Sequence, residues 1–149
     1  MKYLKISILL ALVIFLNSCM KQKILREQEE LQIANFIADL GLYFEQTPNG
    51  VYYHIDSLGR GKCVKEDDIV MLVYSGYNLD DHNKAFAKND TIYVKVNNPL
   101  LLEGWRELFL LLPRGTYGRA IFPYYTAYNK KQVTNIPPYS TLYFVFYFE

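Results

Sequence analysis

The strongest constraint on the fold lies in residues 142–148, where every side chain is apolar or aromatic: Leu142-Tyr143-Phe144-Val145-Phe146-Tyr147-Phe148. A period of two sends Leu142, Phe144, Phe146 and Phe148 to one face and Tyr143, Val145 and Tyr147 to the other. Thr141 to Phe148 therefore reads as a strand whose first face needs a core to receive it. The chain carries 14 Tyr and 9 Phe, a bias that suits a sheet or an aromatic-lined site.

Earlier segments supply the rest of such a core. After the turn Thr47-Pro48-Asn49-Gly50, Val51 to Ile55 is a strand, and Ile69 to Tyr77 a longer one. Thr91 to Val96 alternates Ile92, Val94 and Val96 with Tyr93 and Lys95, and Tyr117 to Phe122 is a further strand. Leu79 to Asn89 is polar and turn-rich, which predicts a surface excursion, and Pro123 to Pro138 a long loop. Leu100 to Leu112 carries a helix in its middle, with Trp105, Leu108, Phe109 and Leu112 on one stripe and Pro113-Arg114-Gly115 closing it. Lys21 to Leu40 predicts another helix, with Ile24, Leu25, Leu31, Ile33, Phe36, Ile37 and Leu40 at three- and four-residue steps and Gly41 as its stop. The class is α+β: a twisted antiparallel sheet of about five strands folded over a short central helix, preceded by an N-terminal helix.

The first residues have a different logic. Lys2 and Lys5 precede an apolar run, Ile6 to Leu16, too short to cross a bilayer as a lone helix. The run ends in Leu16-Asn17-Ser18-Cys19, which resembles the lipobox of bacterial lipoproteins. That resemblance implies cleavage before Cys19 and lipidation of its thiol, with several acyl chains giving a stable membrane anchor. The expected organisation is a signal peptide over 1–18, a lipidated N-terminus and amphipathic helix over 19–45, and a globular domain over 46–149. The residues after Cys19 are neutral or basic, which points to an anchor in the outer membrane with the domain on its periplasmic face. With Cys19 acylated only Cys63 remains, so the domain holds together by packing, without an internal disulfide. The formal charge is +1, from 16 basic and 15 acidic residues, with no basic run after the extreme N-terminus, and nucleic acid is not an expected partner.

Covalent and metal chemistry find little footing. His54 and His82 fall in different elements without ligand spacing, and Asp80-Asp81-His82 reads as a solvated loop. Ser75 lacks the preceding glycine of a nucleophile elbow, and no glycine-rich phosphate loop occurs. No metal and no cofactor is expected.

A series of short blocks carries more information. Asp68-Ile69-Val70 and Tyr74-Ser75-Gly76 are followed by Leu102-Glu103-Gly104-Trp105, Leu112-Pro113-Arg114-Gly115 and Phe122-Pro123. Ala127-Tyr128, Ile136-Pro137-Pro138 and Thr141-Leu142-Tyr143-Phe144 complete it. In that order and spacing, Tyr52 to Glu149 resembles the FKBP-type peptidyl-prolyl isomerase domain, whose anchored lipoprotein form is similar to members from Bacteroidetes-type bacteria. The resemblance implies a pocket between helix and sheet that takes a proline-containing peptide. Trp105 would be its floor, Tyr74, Phe86, Leu101, Leu102, Tyr128 and Phe144 its walls, and Ile136 part of a flap. The Leu102 N–H and the Tyr128 hydroxyl would donate to the peptide's carbonyls. The substrates implied are proline-containing segments of exported proteins. Four positions depart from the family pattern: the acid after the pocket phenylalanine is Ala87, two rings on the third strand are Ile92 and Val94, and the glycine after Ala127-Tyr128 is Asn129. A binding module without catalysis is the alternative, and the face of Tyr143, Val145 and Tyr147 would offer a docking strip to a protein partner. The plainer expectation for the same strip is that the N-terminal helix covers it through Ile33, Phe36, Ile37 and Leu40.

Overall fold

The structure, a computed structural model, describes residues 20–149 in full and residues 2–19 by backbone alone. The cleavage site and the lipidation of Cys19 lie outside the described residues. The chain divides into two compact units, Met1–Phe36 and Ile37–Glu149. Helix α1 spans Lys2–Leu40, so the helix expected from Lys21 is part of a longer one. It ends as expected at Gly41, whose N–H reaches the carbonyls of Ile37 (3.2 Å) and Ala38 (3.1 Å).

The second unit holds one antiparallel sheet of six strands: β1 (Glu45–Gln46), β2 (Tyr52–Ser57), β3 (Ile69–Asn78), β4 (Asp81–Lys95), β5 (Thr116–Phe122) and β6 (Leu142–Phe148). Their spatial order is β1-β2-β5-β6-β3-β4. The sixth strand is the two-residue β1, too short to leave a periodic signal. The all-apolar strand β6 lies inside the sheet, paired with β5 and β3 without a register shift. Leu142, Phe144, Phe146 and Phe148 are 0–1% exposed, so this face meets the core as its alternation required. Helix α2 (Glu103–Leu111) closes that core with Trp105, Leu108 and Phe109, and Leu112 just beyond it is buried as well. Each ring buried removes about 150–250 Å² from water, which makes this contact the main driving force for the unit.

Residues 79–89 correct the sequence reading. They form a hairpin rather than an irregular excursion: β3 runs to Asn78, β4 starts at Asp81, and the Asp80 N–H donates to Asn78 Oδ1 at 3.2 Å. The polar composition misled because β4 is an edge strand, where one row of residues faces water and alternation fades. Against β3 it slips register three times, between Tyr74 and Gly76, Gly76 and Tyr77, and Tyr77 and Asn78. The slack is pinned by Ser75, whose Oγ accepts the Asn89 N–H (3.0 Å) and donates to Asn89 Oδ1 (3.3 Å). Asn89 itself sits at φ +51°, in the left-handed region that Asn tolerates.

The loop after β5 is ordered by local bonds. A 3-10 turn spans Tyr124–Thr126, and Val133 bridges to Ile136. Asn129 stands at φ +56°, the conformation expected where the family pattern has glycine; its N–H donates to Tyr124 O (2.8 Å) and its carbonyl accepts from Tyr139 N (2.7 Å).

Candidate active site

The site is built where α2 begins. Leu102 is the N-cap of the helix and has no capping side chain. Its carbonyl accepts from Trp105 N (3.0 Å) and Arg106 N (3.3 Å), while its own N–H meets no acceptor among the described residues. Gly104 lets the helix approach β5, because a Cβ there would meet the Phe122 ring at 2.6–2.7 Å. Trp105 then drops into the sheet between Tyr74 (6.0 Å between ring centroids), Phe109 (5.9 Å), Phe122 (4.9 Å), Phe144 (4.8 Å) and Phe146 (5.5 Å). The indole is 3% exposed, and Phe144 beside it 1%.

Around that floor the structure brings together the other residues picked out by sequence. Tyr74, Phe86, Ile92, Val94, Leu101, Leu102 and Tyr128 are all partly buried and pack against the core cluster holding Trp105 and Phe144. Ile136 is nearly sealed, at 4% exposure, and its N–H donates to the Val133 carbonyl (2.9 Å). Phe86 stands edge-on to Phe144 at 5.9 Å, and only a glycine at 76 permits this, since a Cβ there would lie 2.5 Å from the Phe86 ring and 2.9 Å from Phe144. The Tyr-x-Gly block thus has a steric reason.

The hydroxyls of Tyr74 and Tyr128 face this rim without a hydrogen-bond partner among the described residues. Burial pushes both phenols above their ordinary ionisation range; for Tyr74 the negative charge of Asp90 and then neighbouring Tyr128 add to the effect. Both therefore remain neutral donors at physiological pH. The arrangement offers an apolar rim, an aromatic floor, and three donors without acceptors: one backbone N–H and two phenols.

A cavity of about 350 Å³ adjoins the rim. It is lined by Asn78, Asp81, Lys84, Ala85, Phe86, Asn135 and Pro137, so it lies between the β3–β4 hairpin tip and the loop before β6. Phe86 is the one lining residue it shares with the sequence-derived set, and it is not centred on Trp105. Asn78, Asp81, Lys84 and Ala85 were missed because the hairpin was read as an excursion, whereas Asn135 and Pro137 come from the long loop before β6. Among the described residues no group of three or more His, Cys, Asp and Glu could hold a metal ion. Ser75, the hydroxyl examined as a nucleophile, is engaged by Asn89. His54 Nδ1 lies 2.7 Å from the Tyr43 carbonyl and its Nε2 3.6 Å from Asp56, away from the rim.

The pattern of FKBP-type peptidyl-prolyl cis-trans isomerases matches residues 61–146, more than half of the chain, and the chain belongs to that family. It is similar to the FKBP-type peptidyl-prolyl cis-trans isomerase FkpA of Escherichia coli strain K12, 27% identical over 97 residues, covering 64% of this chain and 35% of that protein. The corresponding protein of Buchnera aphidicola is 24% identical over 119 residues, 78% of this chain and 48% of its own length. The chain thus spans between a third and a half of the curated relatives it matches. Among solved structures, a peptidyl-prolyl cis-trans isomerase from Pseudomonas syringae pv. tomato superposes with TM-score 0.68 at 20% identity, covering 82% of this chain and 89% of that one. The crystal structure of Escherichia coli FkpA gives TM-score 0.66 at 22% identity, covering 85% and 62%. At these identities the structures establish the fold.

Proposed function

We propose that the protein is a membrane-anchored prolyl isomerase or foldase that acts on proline-containing segments of exported proteins. The observation that carries this reading is the set of unpartnered donors on the apolar rim. A half-buried rim with Leu102 N–H, Tyr128 OH and Tyr74 OH all lacking acceptors suits a ligand that brings carbonyls and an apolar ring. An X-Pro segment is such a ligand.

The chemistry needs no ionised group. Turning an X-Pro bond means twisting a conjugated amide over a barrier of about 18–20 kcal/mol. In the twisted state the amide has lost its resonance dipole, so it loses less than the planar form on leaving water for an apolar rim. Trp105, Phe144, Phe86 and Tyr74 would hold the proline ring, with Ile92, Val94 and Leu101 at its side and Ile136 fixing the loop above. Leu102 N–H and Tyr128 OH would hold the flanking carbonyl, favouring the twisted state over the planar ground states. Cleavage before Cys19 and its lipidation would place this domain, residues 46–149, on the periplasmic face of the outer membrane. Among the described residues no helix is long and apolar enough to cross a membrane.

The direct test is isomerisation of an Ala-Leu-Pro-Phe peptide, followed by NMR exchange so that no protease is needed. Catalysed exchange is expected; peptide binding without catalysed exchange would leave the binding-module reading. That second reading has its own support in the departures at Ala87, Ile92 and Val94, which leave the rim less aromatic and less polar. It would use the other sheet face as well, where Tyr147 pairs with Val73 and Tyr117, and Val145 with Ser75 and Arg119, as a strip for a protein partner.

A further inference from the structure

We infer that Asp90 is a positioning residue of the rim: its carboxylate accepts the Tyr74 hydroxyl when a peptide covers the site, leaving Tyr128 free to donate to the peptide. The inference rests on the proline-site reading given above. It begins with register. Tyr74 and Asp90 are directly opposed across β3 and β4, and opposed residues of an antiparallel pair project to the same face. That face is the inner one, because Tyr74 meets Trp105 and Phe144, and Leu72 and Val70 on the same row pair with Ile92 and Val94. Along β4 the row facing the rim therefore reads Val94, Ile92, Asp90: two aliphatic walls and then a carboxylate.

The backbone that presents Asp90 is held just before it. The Ser75–Asn89 pair of hydrogen bonds fixes the bulge immediately before it, with Asn89 in the left-handed conformation. The resulting place is where an acceptor is needed. In the free protein the Tyr74 hydroxyl can turn to water. Once a peptide covers the rim, a phenol with no acceptor costs about 1–3 kcal/mol in lost hydration. Tyr74 and Tyr128 pack against the same core cluster, so without a second acceptor both hydroxyls would turn to the carbonyls of the peptide. Asp90 carries no ion pair or hydrogen bond among the described residues, which leaves its oxygens available. Position 87 holds Ala, and the carboxylate three residues further along β4 is the one that stands opposite Tyr74.

A double-mutant cycle tests this. Binding of the Ala-Leu-Pro-Phe peptide to the intact protein is measured by titration calorimetry for wild type, Asp90→Ala, Tyr74→Phe and the double variant, beside isomerisation of the same peptide. Asp90→Ala is expected to weaken binding roughly tenfold, since the stranded hydroxyl is desolvated in every bound state. Tyr74→Phe deletes the group that needs the acceptor, so in that background Asp90→Ala should cost nothing further, and Asp90→Asn should rescue part of the loss by offering a carbonyl. Equal losses from Asp90→Ala with and without the Tyr74 hydroxyl would overturn the inference while leaving the proline site intact. A wild-type protein that binds no proline peptide would overturn both.

Discussion

Two halves of one sheet behave differently. Across β5, β6 and the inner part of β3 the strands pair without a slip, and the residues they turn towards α2 are apolar and sealed. Between the outer part of β3 and β4, the register shifts three times and the side chains become polar or half-buried. The regular half gives the fold its stability. The irregular half holds open the rim, turns Phe86 over Gly76 and presents Asp90. A chain that paired both halves perfectly would lose the bulges that turn Phe86 over Gly76.

The largest effect should come from the regular half. Phe109 is fully buried, stacks on Trp105 at 5.9 Å and meets Phe148 at 5.1 Å. Phe109→Ala should lose about 3–5 kcal/mol of unfolding free energy in a urea titration. A loss under about 1 kcal/mol would show that the core can collapse around the gap and that the contrast drawn here is too sharp.

Trp105 belongs to both halves, so Trp105→Leu should divide its effect. Stability should fall by about 2–4 kcal/mol with the domain still folded, and peptide binding with any isomerisation should drop steeply. Unchanged peptide affinity would make the indole plain core. Gly76→Ala should reverse the proportion: its Cβ displaces the Phe86 ring, costing about 1–2 kcal/mol of stability and roughly tenfold in peptide affinity. A crystal structure of this variant with Phe86 unmoved over Phe144 would contradict it.

The smallest effect concerns Asp68, on the far side from the rim. Its carboxyl is held below the usual carboxylate range, first by the Lys65 N–H (3.0 Å), which outweighs the opposing effect of burial, and further by the Arg114 guanidinium (3.2 Å). A lowered folded value means that this contribution is present above the unfolded carboxylate value and is lost as pH falls through the folded one. Thermal unfolding should therefore separate wild type from Asp68→Asn at neutral pH and bring them together in acid. A gap independent of pH would assign the effect to something other than ionisation.

The sequence was most readable where one periodicity ran unbroken. The two faces of β6, the stripe on α2 and the stop at Gly41 all emerged at their positions because burial leaves a repeat of two or of 3.6. The edge strand β4 did not, since its bulges break any period and its outer row faces water. The rim residues were legible only as ordered blocks, each uninformative alone. Asp90 and the hairpin-tip cavity could not be seen that way, because both depend on which residue of β4 stands opposite which residue of β3. That depends on where the bulges fall, which composition does not encode.

The position of β6 also bears on how this chain is made. It is the last of the six strands in chain order, yet it sits between β5 and β3, with Phe148 pairing Leu72 on one side and Thr116 on the other. A nascent chain that has reached residue 141 holds two part-sheets with facing edges unpaired and the aromatic side of α2 uncovered. Such edges invite pairing with other chains. Folding of this unit therefore waits for the seven residues of the strand, and a polypeptide halted just short of them would be a client for folding helpers.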